Sequence, residues 1–384
     1  MLDRNLEHMH ASRKGLVATK IILAVVAGIG LWIPLAGQTR PPGPQWLPNR
    51  QSPDAHFAGT AACADCHSTK VKSQVGTAMG RALELPERCQ ILQARPKLTF
   101  KQAGYSYEIL RDGDRTLYKV TDGARSIVEP VLYAFGQGVA GQTYVFKHEG
   151  NFYESRVSYF DDIKGLDLTI GHLPQVPESL DAAAGRVMKT DEARACFGCH
   201  TTGSVSRNTL LLDRLIPGVT CEQCHGPAGE HVAAMRAGNY DESLIFNPHK
   251  LNAEETSNFC GTCHRTWETV ALMGLRGVNN VRFQPYRLAN SKCYDQDDRR
   301  IACTACHDPH VDVVRDASYY DSKCTACHVA STSASAPSRS ARVCPAAKSK
   351  CVTCHMPKYD LPGGHFKFTD HQIRIIKPGD SYPN

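Results

Sequence analysis

The chain has 384 residues, 44 Lys and Arg against 38 Asp and Glu, and 42% hydrophobic residues of which few are aromatic. That length allows one large or two to three small domains, and a formal net charge of +6 does not read as a nucleic-acid-binding patch. Seventeen cysteines exclude an ordinary reduced cytosolic enzyme, so disulfides, metals or a covalent cofactor must account for them.

In chain order, Arg13, Lys14 and Lys20 precede the apolar run Ile21–Gly37, "IILAVVAGIGLWIPLAG". Residues 1–37 therefore read as a secretory signal peptide or an N-terminal membrane anchor. The small residues at Ala36-Gly37 suit cleavage. Residues 38–60 follow as a Pro-rich extended linker. Either reading puts the remainder on the exoplasmic side of the cytoplasmic membrane, as in a periplasm.

Residues 61–94 carry the first of seven C-x-x-C-H motifs: Cys63/Cys66/His67, Cys196/Cys199/His200, Cys221/Cys224/His225, Cys260/Cys263/His264, Cys303/Cys306/His307, Cys324/Cys327/His328 and Cys351/Cys354/His355. This is the attachment signature of c-type haem. Two thiols add to the porphyrin vinyls, and the adjacent His ligates the iron from the proximal side. Structural zinc needs two Cys pairs per metal and does not require a His after every second Cys. The seven motifs thus imply seven covalently bound haem c groups. Each porphyrin adds two propionates, so the loaded protein is expected to be near neutral when oxidised and acidic when reduced.

A long gap without motifs separates His67 from Cys196. Within it, residues 95–175 read as a small inserted antiparallel β subdomain. Alternating runs are punctuated by Asp112-Gly113, Asp122-Gly123 and Glu149-Gly150-Asn151, which are hairpin signals. Gly136, Gly138 and Gly141 have the G-x-G-x-x-G spacing of a nucleotide loop. A strand pattern follows them instead of a helix, so a glycine-rich β connection is the better reading.

Residues 176–330 hold motifs two to six, and residues 331–384 hold motif seven and a C-terminal tail. Helices are expected at 179–190, 228–237 and 253–273, the last opened by an Asn252/Glu255 capping box. The motif density leaves little room for a conventional core, so the haems are expected to supply much of the interior. The expected fold is mainly α and irregular, wrapped around stacked haems, with the small β insertion. "VASTSASAPSRSAR", residues 329–342, is a polar loop.

A low-spin iron needs a second axial ligand, usually His or Met. Outside the motifs, His56, His148, His172, His231, His249, His310, His365 and His371 are available, while His8 and His10 lie before the apolar segment. His231, in "CEQCHGPAGEH", and His310, in "CTACHDPH", are expected to reach irons other than those of their own motifs.

These stretches, with "CVTCHMPK" and "HFKFTDHQIR", resemble multihaem c-type cytochromes of the cytochrome c-554 and hydroxylamine oxidoreductase type, over most of residues 58–375. The resemblance implies distal roles for His231 and His310, and ligand-like positions for His365, His371 and His172. Relatives often carry a distal His after the first motif. Here that stretch is Thr77-Ala78-Met79, so Met79 is a candidate thioether ligand, with a helix-core Met as the alternative. Cys293 and Cys344 are a candidate disulfide, with Cys89 left free or buried.

The leading functional reading is an electron carrier passing electrons between closely packed haems to redox protein partners, with oligomerisation left open. The alternative is an oxidoreductase with one open iron acting on a small nitrogen or sulfur compound. No motif replaces its proximal His by Lys, which weighs against that alternative.

Overall fold

The computed structural model describes residues 47–328 and 344–383, except Pro53 and Pro378. The signal or anchor segment, residues 38–46 of the linker and the polar loop 329–342 lie outside the described residues. Among the described residues no helix is long and apolar enough to cross a membrane.

The motif-free gap folds into a nine-stranded antiparallel sheet: β1 (Leu83–Glu84), β2 (Lys97–Gln102), β3 (Tyr105–Asp112), β4 (Arg115–Thr121), β5 (Ser126–Phe135), β6 (Gln142–His148), β7 (Asn151–Phe160), β8 (Gly165–Leu168) and β9 (Gly185–Val187). Strands β2 to β8 run as a meander in chain order, with β1 added beside β5 and β9 beside β7. The β6–β7 hairpin turns on Glu149 and Gly150, both at positive φ (48° and 82°). That is the backbone a two-residue turn needs to match strand twist, and Gly at the second position lowers its cost. β5 pairs β4 through residues 126–130 and β6 through residues 131–135, with an irregular register after Val131. Pro130, which has no N–H to donate, sits at that change of partner.

Period-two patterning fills this sheet's interior. Thr116, Tyr118 and Val120 are the buried residues of β4. Tyr118 and Val120 join Tyr107, Tyr144, Phe146, Val157 and Tyr159 in one apolar cluster. The short helix at Leu180–Ala184 closes it with Leu180, Ala183 and Ala184, and Ala184 O accepts a 2.9 Å hydrogen bond from Tyr118.

This corrects the expected fold. The insertion is not small: its strands extend to Leu83 and Val187, beyond 95–175, and it holds the largest conventional core among the described residues. The architecture is mixed, with a large antiparallel sheet beside short helices. Gly138 belongs to the connection into β6, where a Cβ would lie 2.9 Å from Ile91 and 3.0 Å from the Tyr159 ring. Close packing explains that glycine, and β6 follows it where a nucleotide loop needs a helix.

The helices are α1 (Thr60–Gln74), α2 (Gln90–Ala94), α3 (Leu180–Ala184), α4 (Thr190–His200), α5 (Cys221–His225), α6 (Gly229–Arg236), α7 (Ala253–His264), α8 (Trp267–Met273), α9 (Gln284–Ala289), α10 (Cys303–Cys306), α11 (Asp321–Thr325) and α12 (Cys351–His355). The expected helix 179–190 is divided into α3 and the start of α4, because residues 185–187 are taken as β9. The expected helix 253–273 breaks at Arg265, whose φ is 68°. Its start is as expected: Asn252 Oδ1 accepts from Glu255 N at 2.8 Å, and Glu255 Oε2 accepts from Asn252 N at 2.9 Å. Around these helices one small buried cluster comprises Leu251 and Phe259, packed by Leu47, Phe57 and Phe246.

Candidate haem-binding and iron-ligating sites

Every motif lies on a short helix or at its end: α1, α4, α5, α7, α10, α11 and α12 in turn. One helical turn sets the two cysteines on one side and brings the His after them. In α1 the helix kinks at His67 (φ −112°, ψ 36°), which turns that imidazole out of the helical path.

The motifs pack against one another through their cysteines. The Cys63 and Cys221 side chains lie next to each other, as do Cys199 and Cys263, Cys260 and Cys303, and Cys324 and Cys351, where α1 packs on α5, α4 on α7, α7 on α10 and α11 on α12. Motif one therefore lies against three, two against four, four against five, and six against seven. Cys224 acts electrostatically on both Cys260 and Cys263, and Cys306 on Cys324, which links these groups. With haem attached at these positions the sulfurs would be thioethers and would not titrate.

The motifs are not uniformly interior. Cys66 of motif one, Cys327 of motif six and Cys354 of motif seven are exposed, whereas the cysteines of motifs two to five are all at least partly covered. The imidazoles of His67 and His328 are exposed with them, while His355 is half-buried. The reason is packing. Helices α11 and α12 are about one turn long and, among the described residues, lie against each other and against the single turn Ala317–Tyr320. Within motif six the turn itself is closed, because His328 N donates to Cys324 O at 3.0 Å. In motif one, α1 meets α5 on one side and turns Asp65, 62% exposed, outward on the other.

Three proximal imidazoles share one arrangement. Nδ1 of His200 donates to Ala82 O at 2.9 Å, Nδ1 of His225 to Phe246 O at 2.9 Å, and Nδ1 of His355 to Arg374 O at 2.8 Å. A carbonyl only accepts, so each ring carries its proton on Nδ1 and leaves Nε2 as a free lone pair. That is how a metal-ligating His is held. Burial pushes the pKa of His200, His225, His264 and His307 down, favouring the neutral ligating form.

Two non-motif histidines lie beside motif histidines. The His225 and His310 rings are 6.1 Å apart between centroids and inclined by 20°. The His307 and His371 rings are 6.2 Å apart and inclined by 44°. With metal–nitrogen bonds of about 2 Å, two imidazoles sharing one iron have centroids roughly 6 Å apart. His310 Nδ1 is hydrogen-bonded to Asp308 Oδ1 at 2.9 Å and His371 Nδ1 to Thr369 O at 3.0 Å, so both leave Nε2 uncommitted. Burial pushes His371 down to about 4. The residues present therefore fit bis-imidazole iron at both places.

Side chains outside the motifs hold these rings. Asp312 accepts from Ala78 N at 2.9 Å, docking the segment with His310 onto the turn after α1. The segment with His371 is anchored by Asp370, which meets the guanidinium of Arg287 on α9 at 2.8 and 3.0 Å. Both side chains are at most 1% exposed. Arg287 also donates to Gln372 at 2.6 Å and stacks on the Tyr382 ring at 4.6 Å. Burial acts to raise the Asp370 carboxyl, but the Arg287 hydrogen bond and its neighbours override it and hold the group below its ordinary value.

The remaining candidates divide. His148 is corrected: Nδ1 lies 2.7 Å from Glu129 and Nε2 3.1 Å from Asp181, so neither nitrogen is left for iron. His365 commits Nε2 to Asp167 at 2.8 Å and packs on Phe160. His172 Nε2 is buried 3.4 Å from Glu154 without hydrogen-bond geometry. His231 Nδ1 is buried without a hydrogen-bond partner, the kind of orphan a ligand would satisfy. His56 lies against Gly229, where a Cβ would fall 2.4 Å from its Nδ1, so only glycine fits at the start of α6. His249 is in the loop before α7, and Met79 is half-buried in the turn after α1. Cys293 and Cys344 are free thiols, which corrects the expected disulfide. Cys293 lies beside Cys327, whereas Cys344 faces the backbone amides of Ala346 and Ala347. Cys89 is fully buried and hydrogen-bonded to Gln142.

Sequence reasoning missed the spacer residues of motif three. Glu222 is 1% exposed and accepts from Ala58 N at 2.7 Å, Gly59 N at 2.8 Å and Ala228 N at 2.8 Å. Gln223 donates to Gly198 O, inside motif two, and to Asn49 Oδ1, both at 3.1 Å. Asp321, at the start of α11, accepts from Lys350 N and Cys351 N at 2.7 and 2.9 Å, holding motif seven against six. Polar residues within or just before a motif were the only signal available.

The family model "Cytochrome c554 and c-prime" matches residues 173–226, a span holding motifs two and three. A curated relative, "Multiheme cytochrome MtrA" of Shewanella baltica (strain OS185), is 28% identical over 184 residues, covering 47% of this chain and 46% of the relative. The chain thus spans about half the length of that relative. The solved structure of "Outer Cell Wall Cytochrome OcwA" aligns over 83% of this chain and 79% of its own with a TM-score of 0.45 and 14% identity. The sequence matches support a multihaem c-type cytochrome with covalently bound haem c.

Proposed function

We propose that the chain is a heptahaem c-type cytochrome that carries electrons between redox protein partners outside the cytoplasmic membrane. Haem iron supplies reversible one-electron chemistry when bound. The protein's own part is to attach, ligate, pack and exclude water. The observation that carries the reading is the pair of adjacent imidazoles, His225/His310 and His307/His371, at 6.1 and 6.2 Å. We assign His310 and His371 as distal ligands opposite His225 and His307, so each serves an iron whose motif it does not belong to. The cysteine contacts support a continuous route, one–three–four–five–six–seven, with two joined at four. Intact mass of the matured protein tests the reading: seven haem masses are expected above the polypeptide, and any smaller count would overturn it.

A second reading is favoured by the ligand inventory. With His148 taken by carboxylates and Nε2 of His365 taken by Asp167, six non-motif histidines keep Nε2 for seven irons: His56, His172, His231, His249, His310 and His371. The histidines then leave at least one iron to another ligand, such as Met79, or to an open position. An open position is what chemistry on a small nitrogen or sulfur compound requires. A high-spin signal that shifts when a small ligand is added would support this oxidoreductase reading.

A further inference from the structure

We propose that Glu222 is a positioning residue that fixes motif one against motif three and lays one buried negative charge beside both of their iron sites. The inference rests on the heptahaem reading above.

The two spacer residues of a C-x-x-C-H motif take no part in attachment or ligation, so their identity is free unless packing uses them. Here the first spacer of motif three is a carboxylate at 1% exposure. All three of its partners are backbone N–H groups: Ala58 and Gly59, at the threshold of α1, and Ala228, at the threshold of α6. It therefore joins three segments, those leading into Cys63/His67, the motif Cys221–His225 itself, and the helix bearing His231. His56 lies two residues before Ala58 and touches Gly229, so it is held by the same knot. The sulfurs of Cys63 and Cys221 meet directly beside it.

The acceptors' chemistry fixes the charge. Three backbone N–H donors converge on its two oxygens, the arrangement a carboxylate accepts. Among the described residues no Lys or Arg pairs with Glu222, so its charge is satisfied by hydrogen bonds but not neutralised. Its field reaches both Cys63 and Cys221. In a buried, weakly screened setting such a charge stabilises ferric over ferrous iron and lowers the potential at both sites. Asp321 performs the same cross-bonding between motifs six and seven, but half-exposed, where water and salt screen its charge.

The test is redox titration of the haem-loaded Glu222→Gln variant, after intact mass has counted its haems. Gln retains an acceptor oxygen but removes the charge. Seven haems are expected, with two midpoint potentials raised together and five unchanged. Potentials identical to wild type, a shift at one site alone, or an even shift across all seven would overturn the proposal. Should Glu222→Gln lose haem, Glu222→Asp keeps the charge on a shorter stem that cannot reach all three N–H groups. It should hold wild-type potentials while the magnetic interaction between the two irons changes. If that interaction stays as in wild type, or if haem is lost from motifs other than one and three, the positioning role is wrong. A wild-type mass short of seven haems instead strikes the heptahaem reading, and removes this proposal where motif one or three is the empty one.

Discussion

His225 and His310 lie beside each other with ring centroids 6.1 Å apart and planes inclined by only 20°. Their Nδ1 atoms are held by Phe246 O and Asp308, which leaves both Nε2 atoms uncommitted. Replacing His310 by Ala should convert one low-spin iron to high spin with all haem mass retained. His371→Ala should do the same at a different iron. Electron paramagnetic resonance of the oxidised variants reads both. If every iron stays low-spin in either variant, that distal assignment fails.

Arg287 and Asp370 form a buried bidentate pair that anchors the segment carrying His371. Removing one partner of such a pair strands the other charge, at a cost of about 3–5 kcal/mol. Arg287→Met should therefore destabilise the protein by that order and loosen the His371 iron. Thermal unfolding reads the first effect, and a new high-spin signal matching His371→Ala reads the second.

His148 carries a pH dependence of a different kind. Its hydrogen bond to Glu129, together with that to Asp181, raises its pKa in the folded state. The protonated ring donates to both carboxylates and ties α3 to the sheet. This contribution is fully present below the unfolded value of about 6.5 and is lost as pH rises through the higher folded value. Stability of the wild type should fall across that interval, and His148→Gln should flatten the profile there. Equal slopes for the two proteins would refute it.

Met79 lies in the turn where α1 ends, and its carbonyl accepts from Ala82 and Val219. If its thioether ligates iron, Met79→Leu should open one site, seen as high-spin signal, and Met79→His should lower one of the highest potentials. A redox titration of the Leu variant superimposable on wild type would assign Met79 to packing alone.

The haem chemistry was legible in the sequence because attachment is local. Two thiols and an imidazole within five residues are what one porphyrin needs, so each motif can be read as a candidate attachment site from its own residues. Strands and the Asn252 cap were legible for the same reason: period-two patterning and capping bonds act over a few residues. The size of the sheet was not, because Leu83–Glu84 and Gly185–Val187 are short segments whose strand character comes only from pairing with β5 and β7. Motif exposure was equally hidden: Cys66, Cys354 and His328 sit in the same local pattern as their covered counterparts, and only the surrounding chain separates them. Distal ligation is likewise a long-range property. Nothing near His148 in the chain reveals that Glu129 and Asp181 occupy both its nitrogens, and nothing near His371 reveals His307. Glu222 is the sharpest case: beside Cys221 it looks like a solvated spacer, yet its oxygens are directed at Ala58 and Gly59, more than 160 residues earlier. The sequence alone determined which residues are candidates for haem attachment. Tertiary packing decided which histidines keep a free Nε2, which motifs touch, and where a buried charge lies, because those depend on partners brought together only when the chain folds.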